Sequence, residues 1–185
     1  MNGLVTVMRA ADAAARWHVN QRRKGAAQEP YVTHLLEVAA LVAEATAGTD
    51  PNLIVAALLH DAIEDQGIIR EEIATQFNDD VADLVVEVTD NKKLPKAERK
   101  QLQIKTAPKL TPRAKILKIA DKISNLRSVT TSPPADWPAQ RRADYVIWTT
   151  NVVRGLRGAS DLLEQAFDRA AADAERAIPL AAEGG

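Results

Sequence analysis

Apolar residues recur along this chain at helical spacing, in blocks separated by Gly, Pro and Asp. The blocks predict helices near 4–23, 33–47, 51–65, 69–76, 79–90, 95–106, 112–130, 138–156 and 159–177. Their ends fall at Gly25, Gly48-Thr49-Asp50-Pro51, Gly67, Pro108, Pro112 and Pro133-Pro134. Asp50 is placed to cap a helix that carries Pro51 at its first position, and Thr111-Pro112 repeats that arrangement. No segment alternates apolar and polar residues as a half-buried strand would, and no internal repeat is visible. The expected fold class is all-α. One domain should run over residues 1–178, with Pro179 stopping the last helix and residues 179–185 fraying as a tail.

Composition narrows the function classes. With 185 residues the chain is long enough for a sizeable single core. Hydrophobic content of 46% and a net charge of −1 describe a soluble globular chain without a general basic field, so no nucleic-acid partner is expected. There is no cysteine, which removes disulfides, thiolate catalysis and zinc–thiolate sites and fits a cytoplasmic setting. No apolar run approaches the roughly 18 residues of a membrane span, and no secretory signal pattern opens the chain. Oligomeric state, including a homo-oligomer, is left open by these residues.

The richest chemistry lies in Leu58-Leu59-His60-Asp61-Ala62-Ile63-Glu64-Asp65. A histidine and three carboxylates there adjoin the apolar run from Leu53 to Leu59, and burying such a cluster is costly unless something compensates its charge. On one continuous helix, turning roughly 100° per residue, His60, Glu64, Asp61 and Asp65 would share one side. His60 and Asp61 could then reach one divalent ion, with Glu64 and Asp65 a turn further on. Three carboxylates in a last helical turn oppose the macrodipole, which also argues for a site.

Further ligands must come from elsewhere, and only three histidines exist. His34 opens a helix whose Leu35, Leu36, Val38, Ala39, Leu41 and Val42 read as core, whereas His18 reads as structural. In Lys115–Ser128, Ile116, Ile119, Ile123 and Leu126 cluster opposite Asp121. Ser124, Asn125 and Ser128 lie beside Asp121. Asp121 and Asn125, one turn apart, could serve the same ligand. Without a ligand this stripe would be a solvated face.

Several segments then form an ordered series: Gln21-Arg22-Arg23-Lys24, Glu29-Pro30-Tyr31-Val32-Thr33-His34, Ala57–Asp65, Val86–Asp90, Leu94–Lys100, Lys118–Arg127 and Val153–Leu156. The series resembles the HD-domain metal-dependent phosphohydrolases. It is most similar to the hydrolase domains of the RelA/SpoT alarmone enzymes and their stand-alone small relatives, over roughly residues 5–170. The resemblance implies a single HD-domain helical bundle holding Mn²⁺ through His34, His60, Asp61 and Asp121. It implies Glu64 and Asp65 as the catalytic pair that positions and activates water, and Asn125 beside the metal and ribose. It implies Arg23, Lys24, Lys96, Arg141 and Tyr145 in the nucleotide pocket. Read without a ligand, Arg22-Arg23-Lys24 would be a cationic helix end and Tyr145 core.

The implied reaction removes the 3′-pyrophosphate of (p)ppGpp, a nucleotide alarmone, leaving GDP or GTP and pyrophosphate. The alternatives are (p)ppApp or the 2′-phosphate of NADPH at the same site, or a non-catalytic nucleotide sensor. Ser124 and Ser128 differ from the bulkier or acidic residues of many relatives, and Ala26-Ala27-Gln28 lengthens a loop. These departures should lie near the base or ribose pocket and leave the ligand set intact.

Overall fold

The computed structural model describes residues 3–178 as α-helices α1 (Gly3–Trp17), α2 (Val32–Ala45), α3 (Pro51–Leu59), α4 (Ala62–Gln66), α5 (Arg70–Gln76), α6 (Asp79–Val88), α7 (Lys96–Thr106), α8 (Pro112–Thr131), α9 (Ala139–Arg154) and α10 (Asp161–Ala177), with a 3-10 turn at Ala107–Lys109. No strand occurs among the described residues, so the all-α expectation holds. The expected tail at 179–185 and the stop at Pro179 lie outside the described residues.

The punctuation acts as anticipated. Asp50 accepts from Leu53 N at 3.0 Å with Pro51 behind it, and Thr111 does the same for Ala114 N at 3.3 Å. Asn78 and Ser160 cap α6 and α10. The α3 segment from Leu53 to Leu59 is buried throughout and packs against α1, α2 and α6. α2 also packs against α8, which in turn packs on α10. Leu36, read as core, instead faces outward at 47% exposure.

Two boundaries differ from expectation, and both matter for the site. α1 ends at Trp17, six residues early, although Gln21 to Lys24 are good helix formers. His18 is buried there and bonds Gln21, and the chain turns into an extended pairing. Arg23 N donates to Glu29 O and Tyr31 N to Gln21 O, around a bridge between Arg22 and Pro30. Arg22 to Lys24 are therefore loop, not a helix end.

The second difference is a break at His60-Asp61, where one helix was expected over 51–65. The His60 ring claims the carbonyl of Ala57 through Nδ1 at 2.8 Å, taking the acceptor that the amide of Asp61 would use in a continuing helix. Glu64 and Asp65 thus stand in the first turn of α4 rather than the last turn of a long helix, so the macrodipole argument does not apply as stated. Gly67, in the left-handed region at φ 70°, ends α4.

Candidate active site

Four donors converge where α2, the α3–α4 break and α8 meet. His34 Nε2 lies 3.4 Å from Asp121 Oδ1 and 3.7 Å from Asp61 Oδ2. His60 Nε2 lies 3.1 Å from Asp61 Oδ2 and 3.7 Å from Asp121 Oδ1. His34, His60 and Asp121 each bring one donor atom within 4.8 Å of the others. Both imidazole Nε2 atoms are buried and make no hydrogen bond. Each ring is anchored through Nδ1 instead, His60 to the Ala57 carbonyl and His34 to Ser124 Oγ at 2.8 Å. Two buried nitrogens aimed between two carboxylates, with no hydrogen bond of good geometry to either, form a donor set that fits a divalent ion.

Electrostatics follow the same geometry. Burial pushes His34 below its usual pKa. Burial also opposes charge on His60, but Asp61 and Asp121 outweigh it and raise its pKa to about 10. Burial would raise the Asp121 carboxyl, yet Lys122 and the two histidines hold it well below the usual range. Lys122 Nζ donates to Asp121 Oδ2 at 3.0 Å, and Asn125 donates to Oδ1 at 2.6 Å. The α8 stripe is thus no solvated face: Asp121 and Ser124 are buried, and Asn125 and Ser128 are half-buried. Tyr31 donates its hydroxyl to Asp61 Oδ2 at 2.6 Å, a contact the sequence reading did not single out.

Above this floor opens a cleft of about 550 Å³ whose lining includes Asp61, Glu64, Asp65 and Asn125. Burial, with Asp90 and Asp61 nearby, holds Glu64 above the usual carboxylate range. Lys92 reaches both acids of the pair, and Arg99 Nη1 stands 3.7 Å from Glu64 Oε1. Gln21 donates to Asp65 Oδ2 at 2.6 Å and is itself held by His18 and Gln66.

All five residues expected in a nucleotide pocket line this cleft: Arg23, Lys24, Lys96, Arg141 and Tyr145. Arg23 Nη1 donates to Asn125 Oδ1 at 3.3 Å. Burial lowers the Lys96 pKa, and repulsion from Arg141, Lys24 and Arg99 lowers it further, the mark of cations gathered without enough partners. Tyr145 is not simply core, since it sits between Trp137 and Trp148, each ring 5.4 Å away. Both tryptophans line the cleft, and Arg141 stacks over Trp137. Sequence reasoning passed over Trp137, Trp148, Lys92, Arg99 and Lys100. Arg99 and Lys100 stand within the Leu94–Lys100 motif, and the other three had only their place in charged or aromatic stretches as a signal. Ser124, expected near the base or ribose, does not line the cleft and is buried behind His34.

A helical bundle that seats a His/Asp cluster able to hold a divalent ion beneath an acid pair has the layout of a metal-dependent hydrolase. The chain belongs to the HD-domain family, whose model, described as HD domain, matches residues 10–150. It is similar to the guanosine-3′,5′-bis(diphosphate) 3′-pyrophosphohydrolase MESH1 of Xenopus tropicalis, at 44% identity over 88% of this chain and 90% of the relative. The human protein of the same name is 43% identical over 87% of this chain and 90% of its own length. A solved structure of a metazoan orthologue of SpoT that hydrolyses ppGpp superposes with a TM-score of 0.86 at 41% identity, covering 89% of this chain and 93% of that one.

Proposed function

We propose that this protein is a Mn²⁺-dependent 3′-pyrophosphohydrolase of (p)ppGpp, releasing GDP or GTP and pyrophosphate. The observation that carries the reading is the pair of buried, unpartnered Nε2 atoms of His34 and His60 facing Asp61 and Asp121 at the base of a cation-lined cleft. The names borne by its close relatives point to the same reaction.

His34, His60, Asp61 and Asp121 would hold the ion. Two imidazoles and two carboxylates suit Mn²⁺, a cation of intermediate hardness. A bound divalent ion supplies charge that polarises a phosphoryl oxygen and lowers the pKa of water. Glu64, kept partly basic by burial and acidic neighbours, takes the proton of the attacking water. Asp65, gripped by Gln21 and Lys92, orients that water. Arg23, Lys24, Lys96 and Arg141 hold the phosphates not cleaved, because a cluster of cations short of carboxylates favours an anion. Tyr145, flanked by Trp137 and Trp148, offers a flat apolar wall for a base. Asn125 stands between Arg23 and Asp121, placed to meet the sugar where the two groups join. The setting we assign is cytoplasmic. Among the described residues no helix is long and apolar enough to cross a membrane.

The test is turnover of ppGpp, ppApp and NADPH by metal-stripped protein, with and without Mn²⁺, read by nucleotide chromatography. Mn²⁺-dependent GDP and pyrophosphate from ppGpp are expected, with Asp121→Ala losing ion binding and turnover together. Turnover of only ppApp or NADPH would move the substrate, and silence on all three with the ion bound would favour a sensor.

A further inference from the structure

Ser124 touches the candidate ion site but has no place in the mechanism above. Ser124 is fully buried, stands outside the cleft and touches a histidine ring on the side away from the cluster. We infer that Ser124 and Glu37 form a hydrogen-bond relay that sets the tautomer and direction of His34, making both of them positioning residues for the divalent ion. This inference rests on the metal reading given above.

The relay runs between two facing helices. His34 and Glu37 lie three residues apart on α2, and Ser124 and Arg127 lie three apart on α8. His34 Nδ1 meets Ser124 Oγ at 2.8 Å, and Ser124 Oγ donates to Glu37 Oε2 at 2.6 Å. The other oxygen of Glu37, Oε1, accepts from Arg127 Nη1 at 2.8 Å. Every partner is a side chain.

Proton counting gives the relay a direction. Arg127 is always protonated and can only donate. Burial would raise the Glu37 carboxyl, but the Ser124 hydrogen bond and Arg127 hold it below its usual range, so it is an ionised acceptor. Ser124 has a single proton, and Glu37 takes it. The Ser124 oxygen is then left to accept, so His34 Nδ1 must be the donor. Its Nε2 therefore carries the lone pair, and that is the buried atom facing Asp61 and Asp121. His60 is anchored differently, its Nδ1 donating to the backbone carbonyl of Ala57, which no side-chain substitution removes. The two rings are thus set independently, and only His34 depends on the relay.

The experiment uses metal-stripped protein and measures Mn²⁺ affinity by calorimetry for the wild type, Ser124→Ala and Glu37→Ala. Thermal melts accompany it, together with ¹⁵N shifts of the His34 ring in the metal-free state. Both variants are expected to bind Mn²⁺ about 10–100-fold more weakly, the usual loss when a partner behind a metal-binding histidine is removed. Their metal-free melting temperatures should stay close to wild type, and the His34 signal should shift from the Nδ1-protonated form towards the Nε2-protonated one. Glu37 lies at the partly exposed end of the relay, so Glu37→Ala keeps the test alive if Ser124→Ala fails to fold. Affinities within twofold of wild type in the folded variants overturn the relay, as does an unchanged His34 tautomer. A wild-type protein that binds no divalent ion overturns the metal reading itself, and the relay with it.

Discussion

Both carboxylate oxygens of Asp65 are engaged, Oδ2 by Gln21 at 2.6 Å and Oδ1 by Lys92, and each keeps a second lone pair for water. Glu64 is held more loosely, by the Asp90 amide at 3.3 Å and by cations 3.7 Å and 3.9 Å away. That asymmetry makes Glu64 the better proton acceptor and Asp65 the better anchor. Removing the bond that holds Asp65, in Gln21→Ala, should therefore lower kcat by roughly tenfold to a hundredfold, the scale of a misplaced catalytic group, with KM little changed. Steady-state kinetics decide this, and a change confined to KM would assign Gln21 to binding instead. The raised pKa of Glu64 has its own signature. As a base Glu64 works only when ionised, so kcat/KM should fall as pH drops through a value above the ordinary glutamate range. Glu64→Gln should abolish that acid limb while leaving Mn²⁺ affinity near wild type, and a limb that survives the substitution would remove Glu64 from the proton transfer. At this scale much was legible. His34, His60, Asp61 and Asp121, the set the family resemblance implies, all meet at one point, although the residues by themselves singled out only His60 and Asp61 and left His34 and Asp121 open. The partners Gln21, Tyr31 and Lys92 were not legible, because their roles arise from contacts across 27 to 44 positions of sequence.

Helix boundaries were legible where punctuation made them and illegible where tertiary contacts did. Asp50, Thr111 and Gly67 mark ends through their own backbone chemistry, so reading them needs no knowledge of the fold. The end of α1 at Trp17 and the break at His60-Asp61 have no Gly or Pro beside them. The first is imposed by the burial of His18 and the second by a ring that takes a carbonyl from the helix. Both departures serve the site, since one releases Arg23 and Lys24 into the cleft and the other splays His60 from Glu64. The loop after α1 is pressed against the end of α8, and Gly25 is the point of contact. A Cβ there would fall 2.1 Å from the carbonyl oxygen of Ser132, a backbone atom, and 2.6 Å from its Oγ. Gly25→Ala should therefore push the loop outward and break the bond from Ala27 N to Ser132 Oγ. The expected result is a KM raised by about tenfold, ~1.4 kcal/mol of binding, with Mn²⁺ affinity retained because the ion's ligands lie elsewhere. A KM equal to wild type would show that this loop does not bear on substrate.

For the whole molecule, the ion cluster joins elements that are distant in sequence, so ion binding and folding should be coupled. His34 belongs to α2, His60 and Asp61 to the α3–α4 break, and Asp121 to α8. An unfolded chain cannot assemble these four, so Mn²⁺ should stabilise the native state by mass action, by about 2.7 kcal/mol at a hundredfold excess over Kd. pH sets the size of the effect. Without an ion, Asp61 and Asp121 overcome burial to give His60 a pKa of about 10, so its Nε2 holds a proton that the ion must displace. The sign follows from the raised value. The protonated ring's contribution to the metal-free protein is full below the unfolded histidine pKa of roughly 6.5 and is lost as pH rises towards that of the folded state. Over the same interval the ion competes with ever fewer protons, by up to about tenfold in affinity per pH unit. The melting temperature with Mn²⁺ minus that without it should therefore widen from pH 6.5 to 8.5. At ~1.4 kcal/mol per pH unit, and 2–4 °C per kcal/mol for a chain of this size, the gap should grow by roughly 3–6 °C per unit. Paired thermal melts at fixed excess Mn²⁺ test this directly. A gap that stays flat or narrows as pH rises would mean that no ring proton is displaced when the ion enters, so that His60 is already neutral in the metal-free protein.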